Sequence, residues 1–244
     1  MKLGKISNPT VSLVIPAYNE EEYIRDCLKS AINQKEKFLE IIVVENNCTD
    51  NTAEIVKEFK EVTLVYESEK GVTRARQRGA KESKGDIIAF IDADNRIPED
   101  WCKKVKEEFS SDEELACVSG PYFFYDASKL EKIPVHFYWN FLAIPSYRFT
   151  GYMALGGNFA IRKDVYMKIG GFDTSIEFYG DDTDISRRAS KYGKSKFTKN
   201  LTVYSSARRF NGQGLIKTGY MYVANFISVS LMKKPVHKNY EDYR

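Results

Sequence analysis

The sequence predicts a mixed α/β fold with a mostly parallel central sheet flanked by helices. Three observations carry that expectation. Short runs of apolar, often β-branched residues recur through the first half, each too short for a buried helix. Amphipathic stretches of about three turns lie between them, the alternation expected of parallel strands joined by helical crossovers. Polar and turn-forming residues collect at the ends of these runs, where an open parallel sheet binds its ligands.

Val11–Pro16 reads as a buried strand, followed by an amphipathic stretch from Glu20 to about Gln34. Glu40–Glu45 (EIIVVE) is a second strand, and Asp50 to Lys60 a helix with Thr49 or Asp50 as its N-cap. Thr63–Glu67 is a short strand and Thr73–Ser83 a helix. Asp86–Ile91 is strongly apolar and strand-like, Glu99–Ser110 helical, and Ala116–Ser119 a fifth strand. The pattern breaks after Gly120. Tyr122–Thr150 is aromatic-rich and irregular, with helical character around Ile133–Phe141, and Asn158–Arg162 is a short strand. Gly180–Tyr192 reads as a helix whose acidic start and basic end complement the macrodipole.

Composition narrows the function classes. The 244 residues are 43% hydrophobic and 29% charged, which excludes wholesale disorder. A net charge of +3 argues against a nucleic-acid binder driven by bulk charge. From Arg208 onward there are seven Lys/Arg against two Asp/Glu, so the end of the chain forms a basic tail. Cys27, Cys48, Cys102 and Cys117 form no CxxC pair, which fits a reducing cytoplasm. No apolar run is long enough to span a bilayer. His136 and His237 lack metal-ligand spacing, and neither a Walker A motif nor a GxGxxG after a strand is present.

Three strand ends gather polar residues: Pro16-Ala17-Tyr18-Asn19-Glu20-Glu21, Glu45-Asn46-Asn47 and Asp92-Ala93-Asp94. A carboxylate directly after a buried strand is costly unless a positive group meets it. Magnesium and manganese take one or two carboxylates together with substrate phosphates, so Asp92 and Asp94 are candidate metal ligands. The alternative for the triplet is an Asx turn before Pro98. Arg74, Arg76 and Arg78 offer charge for phosphate, or a solvated basic face. A second acidic group, Asp181, Asp182 and Asp184, opens the late helix. Crowding raises the pKa of a shielded member, which suits general-base work on a hydroxyl, whereas the plain alternative is N-terminal helix stabilisation. Upstream, Gly156-Gly157-Asn158 and Gly170-Gly171 allow backbone to approach a ligand.

The order and spacing of these motifs from about Val11 to Arg209 resemble the family 2 glycosyltransferases, which have the GT-A fold. The family opens with P-x-Y-N-E, here Pro16-Ala17-Tyr18-Asn19-Glu20. Its second strand ends V-D-D-G-S-x-D, here Val44-Glu45-Asn46-Asn47-Cys48-Thr49-Asp50. A-R-N-x-G is Ala75-Arg76-Gln77-Arg78-Gly79, D-x-D is Asp92-Ala93-Asp94, and the late G-G-F-D with its acid pair is Gly170–Asp173 and Asp181-Asp182. The resemblance implies an inverting transfer from a nucleotide-diphosphate sugar, a UDP-sugar by preference, to a hydroxyl of a glycan or lipid-linked acceptor. Pro16, Ala17, Tyr18 and Glu20 would hold base and ribose, with Glu45 and Asn46 at the base. Arg76 would lie near the diphosphate, Asp94 with Asp92 would bind the metal, Mg2+ or Mn2+, and the ribose or diphosphate, and Ala93 would belong to the nucleotide-sugar site. Gly157, Asn158 and Asp181 would face sugar and acceptor, with Asp182 as general base. Residues 1–210 would be the catalytic domain, with 11–120 the donor half, 121–210 the acceptor half, and 211–244 a C-terminal helix and tail.

The chain departs from the family pattern at four places. Glu45-Asn46-Asn47 replaces D-D-G and alters the base contact, and Asp181 stands for the usual Glu. Val203–Ser206 lacks the His that some GT-A enzymes add as a metal ligand. Asp184-Ile185-Ser186-Arg187-Arg188 stands where processive synthases carry Q-x-x-R-W, which points to single-residue transfer. A sugar-1-phosphate nucleotidyltransferase would start with a Gly-rich basic loop, missing here, and a non-catalytic nucleotide-sugar or glycan-binding domain would need no Asp182.

Finally, Ile216, Tyr220, Val223, Ile227 and Leu231 fall on one helical stripe, followed by Lys233, Lys234 and Lys238. Taken alone the stripe fits packing back on the catalytic domain with solvated lysines, and the aromatic stretch Phe137–Phe149 shifts the expectation to peripheral association with an anionic membrane surface, on the cytoplasmic face.

Overall fold

A computed structural model of the chain describes residues 3–176 and 180–214, and beyond them residues 217, 220, 221, 224, 225, 228, 229 and 236. The first half alternates as expected: β1 (Val11–Ala17), α1 (Ile24–Ile32), β2 (Glu40–Glu45), α2 (Thr52–Lys57), β3 (Val62–Tyr66), α3 (Val72–Glu82), β4 (Ile87–Ile91), α4 (Trp101–Ser111) and β5 (Leu115–Ser119). The second half is β6 (Tyr122–Phe124), α5 (Lys129–Phe137), a π-helical segment (Tyr138–Ala143), α6 (Ile144–Thr150), β7 (Asn158–Arg162), α7 (Lys163–Lys168), α8 (Asp181–Ala189), β8 (Lys194–Phe197), β9 (Val203–Ser205) and α9 (Arg208–Gln213).

Among the described residues the main sheet has seven strands in the order β3-β2-β1-β4-β7-β5-β8, and β6 pairs with β9 in a separate two-stranded sheet. All main-sheet pairings are parallel except those of β7, which runs antiparallel between β4 and β5. That reversal matters for the site. Asn158 opposes Ile91, so the glycine pair before β7 is delivered to the carboxyl edge of β4, beside Asp92.

The period-2 alternation of each strand divides the core. Val11, Leu13, Ile15, Ile87, Ala89 and Ile91 face one side and pack under α1 and α4 through Ile24, Leu28, Trp101 and Phe109. Val14, Ile42, Val44, Ile88, Phe90, Phe159 and Ile161 face the other, under α3, α7 and α8. All five side chains of β4 are buried, each worth roughly 1.5–3 kcal/mol for the larger ones. Gly79 lets α3 lie this close, because a Cβ there would collide with Val14 and Val44. A third, aromatic cluster of Phe124, Val135, Trp139, Met153 and Phe197 gives the irregular stretch its own small core.

Two local expectations change. Asn51, not Thr49 or Asp50, occupies the N-cap position of α2, and Asp50 Oδ1 instead accepts from Thr52 N at 3.0 Å. β6, β8 and β9 are strands that the sequence pattern does not announce, because they are three or four residues long and carry Tyr, Lys and Ser beside their apolar positions. Of the C-terminal stripe only Tyr220 is described, and it is exposed; Ile216, Val223, Ile227 and Leu231 lie outside the described residues. Met221, Asn225, Ser228 and Val229 are each helical and buried, so burial among the described residues falls on positions off that stripe, two of them polar. Among the described residues no helix is long and apolar enough to cross a membrane.

Candidate active site

Because β1, β2 and β4 are parallel neighbours, the three polar strand ends meet along one edge. The loops after β1 and β2 brace each other. Glu21 N donates to Asp50 Oδ2 at 3.0 Å, Asn51 N donates to Glu21 Oε2 at 3.0 Å, and Thr49 N donates to Asn19 Oδ1 at 2.8 Å. Asn19 and Asn47 both take positive φ, 51° and 63°, a conformation that Asn tolerates better than most residues. Glu20 is buried at this crossing, its N–H donating to Thr52 Oγ1 at 2.7 Å. Tyr18 stands at the opening with Lys70 Nζ 2.7 Å from its hydroxyl and 4.0 Å from its ring centroid.

Across the edge, one buried cation ties three elements. Arg76 on α3 donates to Asp92 Oδ1 at 2.8 Å and to Asp181 Oδ2 at 2.5 Å. Its side chain and that of Asp181 are each about nineteen-twentieths buried, whereas Asp92 is 45% exposed. Gly156 and Gly157 fit against this pair: a Cβ on the first would meet the Arg76 guanidinium at 2.7 Å, and one on the second would collide with Asp92 Oδ2. Asn95 Nδ2 holds the Gly157 carbonyl at 2.5 Å. Asp182, the next residue of α8, accepts from Gly156 N at 3.0 Å and Thr183 N at 2.6 Å. Burial raises the Asp182 pKa above the ordinary carboxylate value, against those two hydrogen bonds. Burial, with the neighbouring charges of Asp182 and Asp92, raises Asp181 to about 7 against the attraction of Arg76. Asp94 is likewise raised by burial to about 7, although Arg208 opposes the shift.

Residues 12–170 match the family described as Glycosyl transferase family 2. The chain belongs to that family. The probable glycosyltransferase YdaM of Bacillus subtilis (strain 168) is 33% identical over 209 residues, covering 76% of this chain and 47% of YdaM. The uncharacterized glycosyltransferase YibD of Escherichia coli (strain K12) is 24% identical over 257 residues, covering 97% of this chain and 73% of YibD. The chain thus spans about half the length of YdaM and about three-quarters of YibD. Among solved structures, the mannosyltransferase PcManGT of Pyrobaculum calidifontis, in complex with GDP-Man and Mn2+, aligns with a TM-score of 0.65 at 21% identity, over 88% of this chain and 64% of that one. S. aureus TarS 1-349 aligns with a TM-score of 0.67 at 16% identity, over 94% and 67% of the two chains. These likenesses show the GT-A fold.

Within this family 2 chain, several motif residues have unexpected neighbours. Asn46 is buried, and its amide donates to the Glu67 and Glu69 carbonyls at 2.8 and 2.9 Å while its oxygen accepts from Gly71 N at 2.8 Å. Only an amide supplies both donors and an acceptor, which explains Asn where the family pattern has Asp. Glu45 closes its own turn by accepting from Cys48 N. Arg76, expected near a diphosphate, is the buried strut between Asp92 and Asp181. Asn158, expected on the acceptor side, is fully buried and donates to the Gly120 and Leu201 carbonyls at 2.9 and 2.6 Å. Pro16 and Ala17 belong to the end of β1, where the Ala17 carbonyl accepts from Asn46 N at 2.9 Å, and Ala93 is buried between the two acids. Asp184 pairs with Arg187 and Arg188 at 2.6 and 2.7 Å, which removes it from contention as a base.

Two neighbours of Asp94 were not singled out in the sequence. Ser205 Oγ approaches Asp94 Oδ1 at 3.4 Å, and Arg208 Nη2 lies 3.2 Å from Asp94 Oδ2 and 2.6 Å from Glu20 Oε1. A basic pair starting three residues after an acid-facing strand is a faint signal, absorbed there into the charge of the tail.

Proposed function

We propose that this chain transfers a sugar, with inversion, from a nucleotide-diphosphate donor to a hydroxyl on a glycan or lipid-linked acceptor. The observation that carries this reading is the Asp92–Arg76–Asp181 bridge, because it couples the metal motif after β4 to the acid pair that opens α8. Donor phosphates at one end and an acceptor proton at the other are thereby held in fixed relation, the geometry that in-line displacement needs. The glycine pair brings bare backbone against Arg76 and Asp92, and Gly156 N also holds Asp182, so both acids are fixed by the same short segment.

Asp182 is the general base in this reading. Its carboxylate is oriented by two backbone N–H groups, is only half-buried as a residue, and has a raised pKa. Asp181, locked on Arg76, positions it. The acceptor hydroxyl gives its proton to Asp182 as its oxygen attacks the anomeric carbon, and the bond to the diphosphate breaks on the opposite face.

Asp94 fits a divalent ion. A buried carboxylate oxygen beside the Ser205 hydroxyl is the hard donor set that such ions take with phosphate. Among the described residues no group of three or more acidic, His or Cys side chains gathers to cage an ion, so substrate oxygens would complete the shell. Asp94, with Asp92 nearby, would hold Mg2+ or Mn2+, which when bound stabilises the charge of the leaving nucleoside diphosphate. The mannosyltransferase neighbour is described with GDP-Man and Mn2+, and TarS with UDP, which supports a nucleotide-sugar donor for this chain, with uridine our preference.

The acceptor is placed near a membrane surface in this reading. Ile133, Phe137 and Phe141 stand four residues apart and exposed along α5 and the π-helical segment, with Phe141 stacked on Phe137 at 4.8 Å. Leu142, Arg148 and Phe149 are exposed just beyond, Phe149 at 93%. Exposed aromatic rings beside basic side chains suit an anionic interface.

The test of the reaction is Asp182→Asn, which keeps shape and loses the proton acceptor. Turnover should fall by about 10²-fold or more while donor affinity stays near wild type. Turnover within a few-fold of wild type would remove Asp182 from the mechanism.

A further inference from the structure

Arg208 is used by nothing in the reaction as described, yet its position is built with care. It opens α9 after β9, 188 residues from Glu20. Asp126 fixes the turn that delivers it, accepting from Ala207 N and from Ser206 Oγ, both at 2.7 Å, while Arg208 N donates to Ser206 Oγ at 3.2 Å. The guanidinium then lies over the Tyr23 ring at 4.5 Å and points Nη2 between Glu20 Oε1 and Asp94 Oδ2. The side chain is 18% exposed, and its two carboxylate partners are 5% and 12% exposed. A guanidinium is a fixed +1 charge whose planar fork matches carboxylate and phosphate equally well. It therefore holds Oδ2 of the same carboxylate whose Oδ1 faces Ser205, and two cations on one buried carboxylate repel strongly at such range.

We propose that Arg208 is the resident cation of the Glu20–Asp94 pair in the donor-free protein, and that its guanidinium passes to the donor diphosphate when the nucleotide sugar binds. The proposal rests on the reading of this strand edge as a nucleotide-sugar site. It makes Arg208 a donor-binding residue as well as a guard on Asp94. Metal alone must bind beside a guanidinium that Glu20 still holds, whereas a diphosphate draws Arg208 away and frees Asp94. Nucleotide and metal therefore bind cooperatively, and the coupling runs through one side chain.

The test uses the full chain and two titrations that need no turnover. Free Mn2+ is followed by electron paramagnetic resonance without nucleotide, for wild type, Arg208→Gln and Arg208→Lys. Arg208→Gln should bind Mn2+ about 10-fold more tightly than wild type, with Arg208→Lys staying near wild type. UDP and GDP are then titrated calorimetrically in EDTA, where Arg208→Gln should bind the preferred nucleotide about 10-fold more weakly and Arg208→Lys should recover part of the loss. Unchanged Mn2+ affinity in Arg208→Gln overturns the resident-cation role, and unchanged nucleotide affinity overturns the transfer to diphosphate. Thermal melts accompany both titrations, and the charge-removing variant Arg208→Met carries both comparisons if the glutamine variant is poorly folded. Failure of wild type to bind either nucleotide, even with Mn2+, would overturn the donor-site reading instead; the Mn2+ arm separates the two results because it contains no nucleotide.

Discussion

Replacing Arg76 by methionine removes the charge and leaves most of the volume. Two carboxylates then lose their partner, and they are not equal. Asp92 is 45% exposed and can turn to water, whereas Asp181 is 6% exposed and cannot. An uncompensated buried charge of this kind costs about 3–5 kcal/mol. For a chain of this size that corresponds to a fall in melting temperature on the order of 10 °C. The loss should depend on pH. Asp181 has a folded-state pKa already raised to about 7 by burial, so its contribution is favourable at acid pH and is lost as pH rises through that value. Removing Arg76 raises it further, so Arg76→Met should recover most of its stability as the pH is brought from about 8 down to about 5. The double variant Arg76→Met/Asp181→Asn should be more stable than Arg76→Met at pH 8 and far less sensitive to pH. Melts of the three proteins across that range provide the assay. A single variant within 1 kcal/mol of wild type at every pH would refute the strut.

Three further outcomes follow from the same geometry. The acid limb of turnover should have its midpoint above the ordinary Asp value of about 4, because Asp182 must be ionised to act and burial raises its pKa; a flat profile down to pH 4.5 would count against it. Asn46→Asp should destabilise the chain by about 1–3 kcal/mol, since a carboxylate would face the Glu67 and Glu69 carbonyls with no proton to give, and limited proteolysis at residues 67–71 should speed up; unaltered cleavage would refute the loop-bracing role. Serine at Phe137, Phe141 and Phe149 together should abolish flotation with anionic vesicles while leaving the melt near wild type, because these rings are exposed; equal flotation of the two proteins would end the membrane reading.

The donor-side half of the fold was legible because its signals are local. Each apolar run of the first half is a strand, and each amphipathic stretch between them a helix, since burial on both faces of a parallel sheet writes itself into consecutive residues. The motifs at Pro16–Glu20, Asp92–Asp94 and Asp181-Asp182 were legible for a related reason: they close or follow the strands, or open the helix, that carry them.

Tertiary structure decided which polar groups meet. The reversal of β7, which brings Gly157 against Asp92, depends on pairing with β4 and β5 and leaves no periodic trace. Asn46 became a loop brace, Asn158 a core bracket and Arg76 a strut because carbonyls and carboxylates from elsewhere in the chain surround them. Arg76 and Asp181 are 105 residues apart, and Arg208 and Glu20 are 188 apart. A hydrophobic side chain needs only to leave water, so its sequence context announces its fate. A buried charge needs a particular partner at hydrogen-bonding distance, and that partner is chosen by the whole fold.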